Sequence, residues 1–170
     1  METLIAGASG ATGKHLTDEL LKSGQKVKII VRSTGKIPES WASNDNLKII
    51  RRDISEISIE EMSGYLADCQ AAASCLGHNL SWKGVYGKPR KLVTEAVRLM
   101  CDAIIKNKPA KPVKFVLMNT AGNSNRDLNE PVSFGQKIII TLLRLFLPPH
   151  TDNENAADYL RVKIGQKDPD

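Results

Sequence analysis

A strand, three glycines at three-residue steps and a helix follow one another at the start of this chain, and few folds accept that order. Thr3–Ala6 is a short apolar run, and Gly7, Gly10 and Gly13 come next. Lys14–Ser23 then carries Leu16, Leu20 and Leu21 on one helical face. Gly24 is placed to end that helix in the left-handed conformation. Lys26–Val31 is a second β-branched run. The spacing predicts a βαβ unit whose turn is suited to phosphate. Gly7 permits the tight turn, Gly10 lets backbone amides approach a ligand, and Gly13 lets helix and strand pack closely. The helix start adds about half a positive charge, and Ser9 and Thr12 add hydroxyls. Gly7, Ser9, Gly10, Ala11, Thr12 and Gly13 are therefore the candidate ligands of a pyrophosphate. The alternative is a glycine-rich turn without a ligand.

LIAGASGATGKHL resembles the start of the short-chain dehydrogenase/reductase superfamily, in its extended and atypical branches. GASGATG followed by a strand ending Val31-Arg32-Ser33 most resembles the NmrA-like NAD(P)-binding group. The resemblance implies an α/β doubly wound Rossmann sheet and a nicotinamide dinucleotide cofactor. In this fold an acidic residue at the end of the second strand binds ribose hydroxyls, whereas an arginine accommodates a 2′-phosphate. Arg32 stands there, and no Asp or Glu follows before Glu39. A guanidinium matches phosphate in two-pronged geometry, so NADP(H) is expected in preference to NAD(H). A solvated surface arginine is the alternative.

The chain has 170 residues, enough for one domain with a real core, taken as 1–170. Its net charge of +5 is mild and scattered, and aromatics are only 5%, so no nucleic-acid partner is expected. Cys69, Cys75 and Cys101 form no C-x-x-C pair, which predicts reduced, buried thiols and no metal site. No leader is expected ahead of the first strand, and no run reaches the roughly 18 apolar residues of a membrane span. A cytoplasmic protein is expected.

Further along, Thr34–Asn46 reads as a loop with a short helix near Trp41, and Leu47–Ile50 as a third strand. The resemblance assigns Asp53 to the adenine amino group and Ile54 to the adenine ring; a turn cap is the alternative for Asp53. Ser58-x-x-Glu61 is a capping box, so Ile59–Leu66 should be helical. Ala71–Leu76 reads as a fourth strand. Relatives carry Asn-Ala-Gly where this chain has Cys75-Leu76-Gly77, which implies that Leu76 and Gly77 lie beside the cofactor. His78 reads as a loop residue, since no carboxylate lies near it in sequence. Ser81–Lys88 is a loop, and Pro89 suits a first helical position. Apolar spacing from Leu92 to Ile104 predicts a long amphipathic helix for sheet packing or a subunit interface. Lys114–Met118 is a fifth strand. The alternation predicts a parallel sheet with Gly7–Gly13, Arg32, Asp53, Leu76-Gly77 and Asn119–Gly122 along one rim.

The chemistry rests on the resemblance. It implies that Thr120 hydrogen-bonds a substrate carbonyl and that Tyr159 and Lys163 form a Tyr-x-x-x-Lys pair. Four residues apart on a helix, such side chains share a face, and the ammonium lowers the phenol pKa. Surface or packing roles are the alternative, because Thr151-x-x-Glu154 predicts a helix from about Asp152 to Gly165 with Lys163 in its last turn. Lys137–Leu147 is apolar nearly all round. Interior packing is expected for it, with an interface, pocket-wall or membrane-surface helix as alternatives. Residues 133–170 are expected to form a helical region bordering the substrate pocket; the resemblance implies a sixth strand where Asp168–Asp170 stand, so the chain is expected to be either a fragment of a longer protein or a minimal binding domain. Two functions fit: an NADP-dependent oxidoreductase acting on a small carbonyl or related substrate, or a non-catalytic NADP-binding redox sensor or regulator. A homo-oligomer or a regulatory protein is the expected macromolecular partner.

Overall fold

Backbone pairing builds the sheet from β1 (Glu2–Ala6), β2 (Lys26–Val31), β3 (Leu47–Arg51), β4 (Ala71–Ser74) and β5 (Lys114–Leu117). All pairs are parallel, in the order β3-β2-β1-β4-β5. The computed structural model describes residues 1–78, 87, 89–119 and 133–164. The chain winds outward from β1 through β2 to β3, then returns to the other side of β1 as β4. Strand order therefore reverses between β1 and β4. Leu4, Ile5 and Ala6 of β1 and Val27 to Val31 of β2 are buried, as both faces of a central parallel strand require. Lys28 is the exception in charge only: its Nζ donates to the Tyr65 carbonyl at 3.1 Å and lies 3.5 Å from Glu2.

Helix α1 (Ala11–Lys22) places Leu16, Leu20 and Leu21 against a core of Ile5, Ala8, Val27, Ile29, Val31, Trp41, Ala73 and Cys75. Gly24 ends it at φ +70. Trp41 closes a 3-10 turn at Glu39–Trp41, and its indole Nε1 donates to Asp18 of α1 at 2.7 Å. That bond ties the polar loop after β2 to the helix. Helix α2 (Ile59–Leu66) starts with the capping box at Ser58 and Glu61. Helix α3 (Leu92–Asn107) buries Val93, Val97, Met100 and Cys101. It starts three residues after Pro89, which stands outside it, ahead of a turn at Arg90 and Lys91.

The described chain divides into two compact units, Met1–Leu76 with Glu95–Met118, and Gly77–Thr94 with Asn119–Asp170. The first holds the sheet. The second holds the start of α3, helix α4 (Phe134–Phe146), helix α5 (Pro148–Tyr159) and a π-helical turn at Leu160–Ile164.

Three expectations are corrected in the second unit. Helix α4 is not interior: it has no buried residue, Phe134 is 79% exposed and Leu145 71%. Only Ile140 and Leu143 are half-buried, because α4 packs with one narrow sector while Ile138, Ile139, Leu142, Leu145 and Phe146 face solvent. Helix α5 begins at Pro148, not near Asp152, since Pro148 and Pro149 fill its first positions. Glu154 consequently caps nothing. It takes both prongs of Arg144, at 2.9 Å each from Nε and the second guanidinium nitrogen. The last described turn, Leu160–Ile164, has π rather than α geometry, and Gly165 lies outside the described residues. Thr120, and the predicted loop Ser81–Lys88 apart from Gly87, lie outside the described residues.

Candidate cofactor site

Gly7 leaves β1 at φ +81, a conformation that L side chains rarely adopt. A Cβ there would meet the Cys75 carbonyl oxygen at 2.6 Å and Leu76 N at 2.8 Å. The turn after β1 thus lies against the backbone that follows β4. A Cβ at Gly13 would overlap the Gly7 carbonyl, so the first turn of α1 sits hard on the same turn. Gly10 differs. Among the described residues a Cβ there would meet only the Gly7 carbonyl, at 3.4 Å, so its open side leaves room for a ligand to approach backbone.

Helix α1 also starts differently from α2, α3 and α4; α5 likewise lacks a side-chain cap, but Pro148 and Pro149 fill its first positions. Ser58 caps α2, Ser133 caps α4, and Asp152 caps α3. At α1 the cap residue is Gly10, with no side-chain hydrogen bond and no acidic residue in the first turn. Among the described residues no side chain caps the amides of Ala11, Thr12 and Gly13, which an α-helix cannot satisfy internally. That arrangement accepts an anion. Ser9 and Thr12 flank it, half-buried and exposed respectively.

Arg32 follows β2 and is exposed. Register pairs Val31 with Arg51, and Arg52 N donates to the Val31 carbonyl at 3.0 Å. Three arginines therefore gather at the carboxyl ends of β2 and β3. Arg52 is engaged by Glu61 at 2.9 Å. Asp53 caps the turn Ile54–Glu56: its Oδ1 accepts from Ser55 Oγ at 2.7 Å and Ser55 N at 3.0 Å. Those bonds, Oγ first, hold its carboxyl below the usual range, and the charge of Arg32 adds to the effect. Ile54 is buried. The sheet unit thus aligns Gly7–Gly13, Arg32, Asp53 and Leu76 at the carboxyl ends of its strands. Arg51 escaped sequence reasoning because only register reveals it.

Cys69, Cys75 and Cys101 are buried free thiols. Burial pushes the Cys69 thiol up to about 11 and Cys101 to about 12, and raises Cys75 as well.

In the second unit, Tyr159 is the last residue of α5 and half-buried, while Lys163 is exposed in the π turn. A π turn closes i→i+5 bonds, so residues four apart no longer stack as in an α-helix. Asp152 is the residue that sequence reasoning missed. Its side chain is 1% exposed and bonded to His78 Nε2 at 2.9 Å, across 74 residues of chain. It also accepts from Val93 N at 2.8 Å, Thr94 N at 3.0 Å and Thr94 Oγ1 at 2.6 Å. The carboxylate absent from the sequence around His78 is supplied by α5.

A family model described as NAD(P)H-binding matches residues 7–163. An uncharacterised chloroplastic protein of Arabidopsis thaliana is 32% identical over 74 residues, which are 44% of this chain and 26% of that protein. Among solved structures, UDP-glucose 4-epimerase of Thermotoga maritima superposes with a TM-score of 0.67 at 18% identity, over 95% of this chain and 50% of its own. The oxidoreductase ylbE of Lactococcus lactis gives 0.66 at 19% identity, over 96% and 64%. The chain spans about half the length of the epimerase, and both likenesses concern the fold. Among the described residues no helix is long and apolar enough to cross a membrane.

Proposed function

Because the chain belongs to the NAD(P)H-binding family, with the Rossmann fold of the short-chain dehydrogenases and epimerases, we propose that it binds NADP(H) in preference to NAD(H) and reduces or oxidises a small carbonyl or alcohol substrate. The observation that carries this reading is the uncapped start of α1 above the open side of Gly10. Gly7, Ser9, Gly10, Ala11, Thr12 and Gly13 would hold the pyrophosphate through backbone amides and two hydroxyls. Arg32, with Arg51 beside the preceding strand residue, would read the 2′-phosphate. Asp53 and Ile54 border the adenine end, and Leu76 and Gly77 the nicotinamide end. The bound cofactor supplies a hydride pair, and the protein's part is to orient it and exclude water.

Titration of the purified chain with both cofactors, followed by NADPH oxidation against a panel of aldehydes and ketones, tests this reading. Tighter NADPH binding with turnover supports it. A second reading, a non-catalytic NADP-binding sensor, is favoured by the exposure of Lys163 and by the change of helical register between it and Tyr159. Intact NADPH binding with no turnover across the panel supports that alternative.

A further inference from the structure

Six large apolar side chains of helix α4 are exposed: Phe134, Ile138, Ile139, Leu142, Leu145 and Phe146. At 3.6 residues per turn they fill one continuous sector of about 140°. The half-buried Ile140 and Leu143 stand on the opposite side, and Lys137, Thr141 and Arg144 form a polar strip between the two. With about 200 Å² for a whole phenylalanine side chain and somewhat less for leucine or isoleucine, the exposed fractions amount to roughly 650 Å² of apolar surface. The largest apolar patch of a typical monomer is about 300–600 Å². A standard interface takes about 800 Å² from each partner. The face is thus close to the size that a second chain covers.

Gly135 stands inside the same sector. Only proline suits a helix less, and nothing in the described chain requires glycine here. Its φ is not positive, and a Cβ would meet nothing within 4 Å. It leaves a notch in an otherwise bulky face. A two-fold interface must complement itself, and the order of residues along α4 does so. In an antiparallel pair centred on position 140, Gly135 faces the partner's Leu145 and Ile138 faces the partner's Leu142.

Charge selects the kind of partner. Helix α4 has no acidic residue and two cations, Lys137 and Arg144. Both oxygens of Glu154 already neutralise Arg144. A helix lying on an anionic lipid surface carries a polar face rich in Lys and Arg; here only Lys137 remains for that task. A second copy needs no such charge, and in the antiparallel pair both polar strips turn away from the contact.

We infer that α4 is a self-association face, through which two copies of the chain pair as antiparallel helices about a two-fold axis at the level of Ile140. The modest area makes this a weak dimer, with a Kd of about 10–100 µM and a monomer near 1 µM. Pairing is independent of the oxidoreductase reading above.

Sedimentation velocity of the full chain from about 1 to 300 µM tests the pairing, a range chosen to span that Kd. The weight-average mass should rise from one chain toward two. Leu145→Glu puts a carboxylate in the contact, and Gly135→Leu fills the notch. Both variants should stay monomeric over the whole range. Neither change disturbs the packing of the monomer, so at about 1 µM the urea midpoints should not fall appreciably. A wild type that is still monomeric at the top of the range overturns the proposal, as does a dimer that persists in either variant. Flotation with phosphatidylglycerol vesicles checks the other occupant. Flotation of the wild type that is lost in Leu145→Glu, without self-association in solution, overturns the proposal in favour of a lipid surface.

Discussion

Gly7→Ala isolates the contact on which the glycine turn depends, and Gly24→Ala is its internal control. Both glycines have positive φ, +81 and +70. The left-handed conformation alone costs a non-glycine residue about 1–2 kcal/mol. At Gly24 a Cβ meets nothing within 4 Å, so that penalty is the whole effect. At Gly7 the Cβ meets the Cys75 carbonyl oxygen at 2.6 Å, its carbon at 2.7 Å and Leu76 N at 2.8 Å. All three are backbone atoms, and relief requires moving the end of β4. Overpacking of that kind adds about 1–3 kcal/mol, which brings Gly7→Ala to about 2–5 kcal/mol. Urea unfolding followed by circular dichroism reads the difference. With an m value of about 2 kcal/mol/M, the midpoint should fall by about 1–2.5 M for Gly7→Ala and about 0.5–1 M for Gly24→Ala. Equal shifts would refute the close approach of the first turn to the residues after β4.

Two further outcomes follow from the same structure. Leu145→Glu in α4 should change stability by no more than about 0.5 kcal/mol, as an exposed position allows; a loss of several kcal/mol in urea unfolding would mean that the face is buried. The raised thiols of Cys69 and Cys101, at about 11 and about 12, predict alkaline sensitivity. The unfolded chain ionises these thiols first, so their contribution is complete below about pH 8.5 and is lost as pH rises toward 12. Melting temperatures measured from pH 8 to 11 should fall less steeply in Cys69→Ala/Cys101→Ala than in the wild type.

The first unit was legible because its signals are local. Gly24 after Leu20-Leu21, the Ser58/Glu61 box and the apolar runs of β1 and β2 each specify their own conformation within a few residues. The small residues Ala71–Ser74 read correctly as a buried strand for the same reason, although the strand ends two residues before Leu76. What escaped depends on partners distant in sequence. Asp152 caps a helix that begins 60 residues earlier and orients His78, and no local pattern marks it for either task. Arg51 joins Arg32 only through strand register. The apolar periodicity of Lys137–Leu147 announced a helix, but apolar spacing does not say whether a neighbour covers each face. Tyr159 and Lys163 fit a four-residue pattern that holds on an α-helix, and the π turn at Leu160–Ile164 changes the spacing beneath it.

The central claim is a diphosphate held by uncapped amides, with an arginine reading a third phosphate. Fluorescence titration of the purified chain with NADPH and NADH, in parallel with Arg32→Ala, tests it most directly. A charge-assisted contact of about 1.5–3 kcal/mol predicts that NADPH binds roughly 10- to 100-fold more tightly than NADH, and that Arg32→Ala removes most of the difference. NADH binding as tight as NADPH, or a folded chain that binds neither cofactor at millimolar concentration, would contradict it.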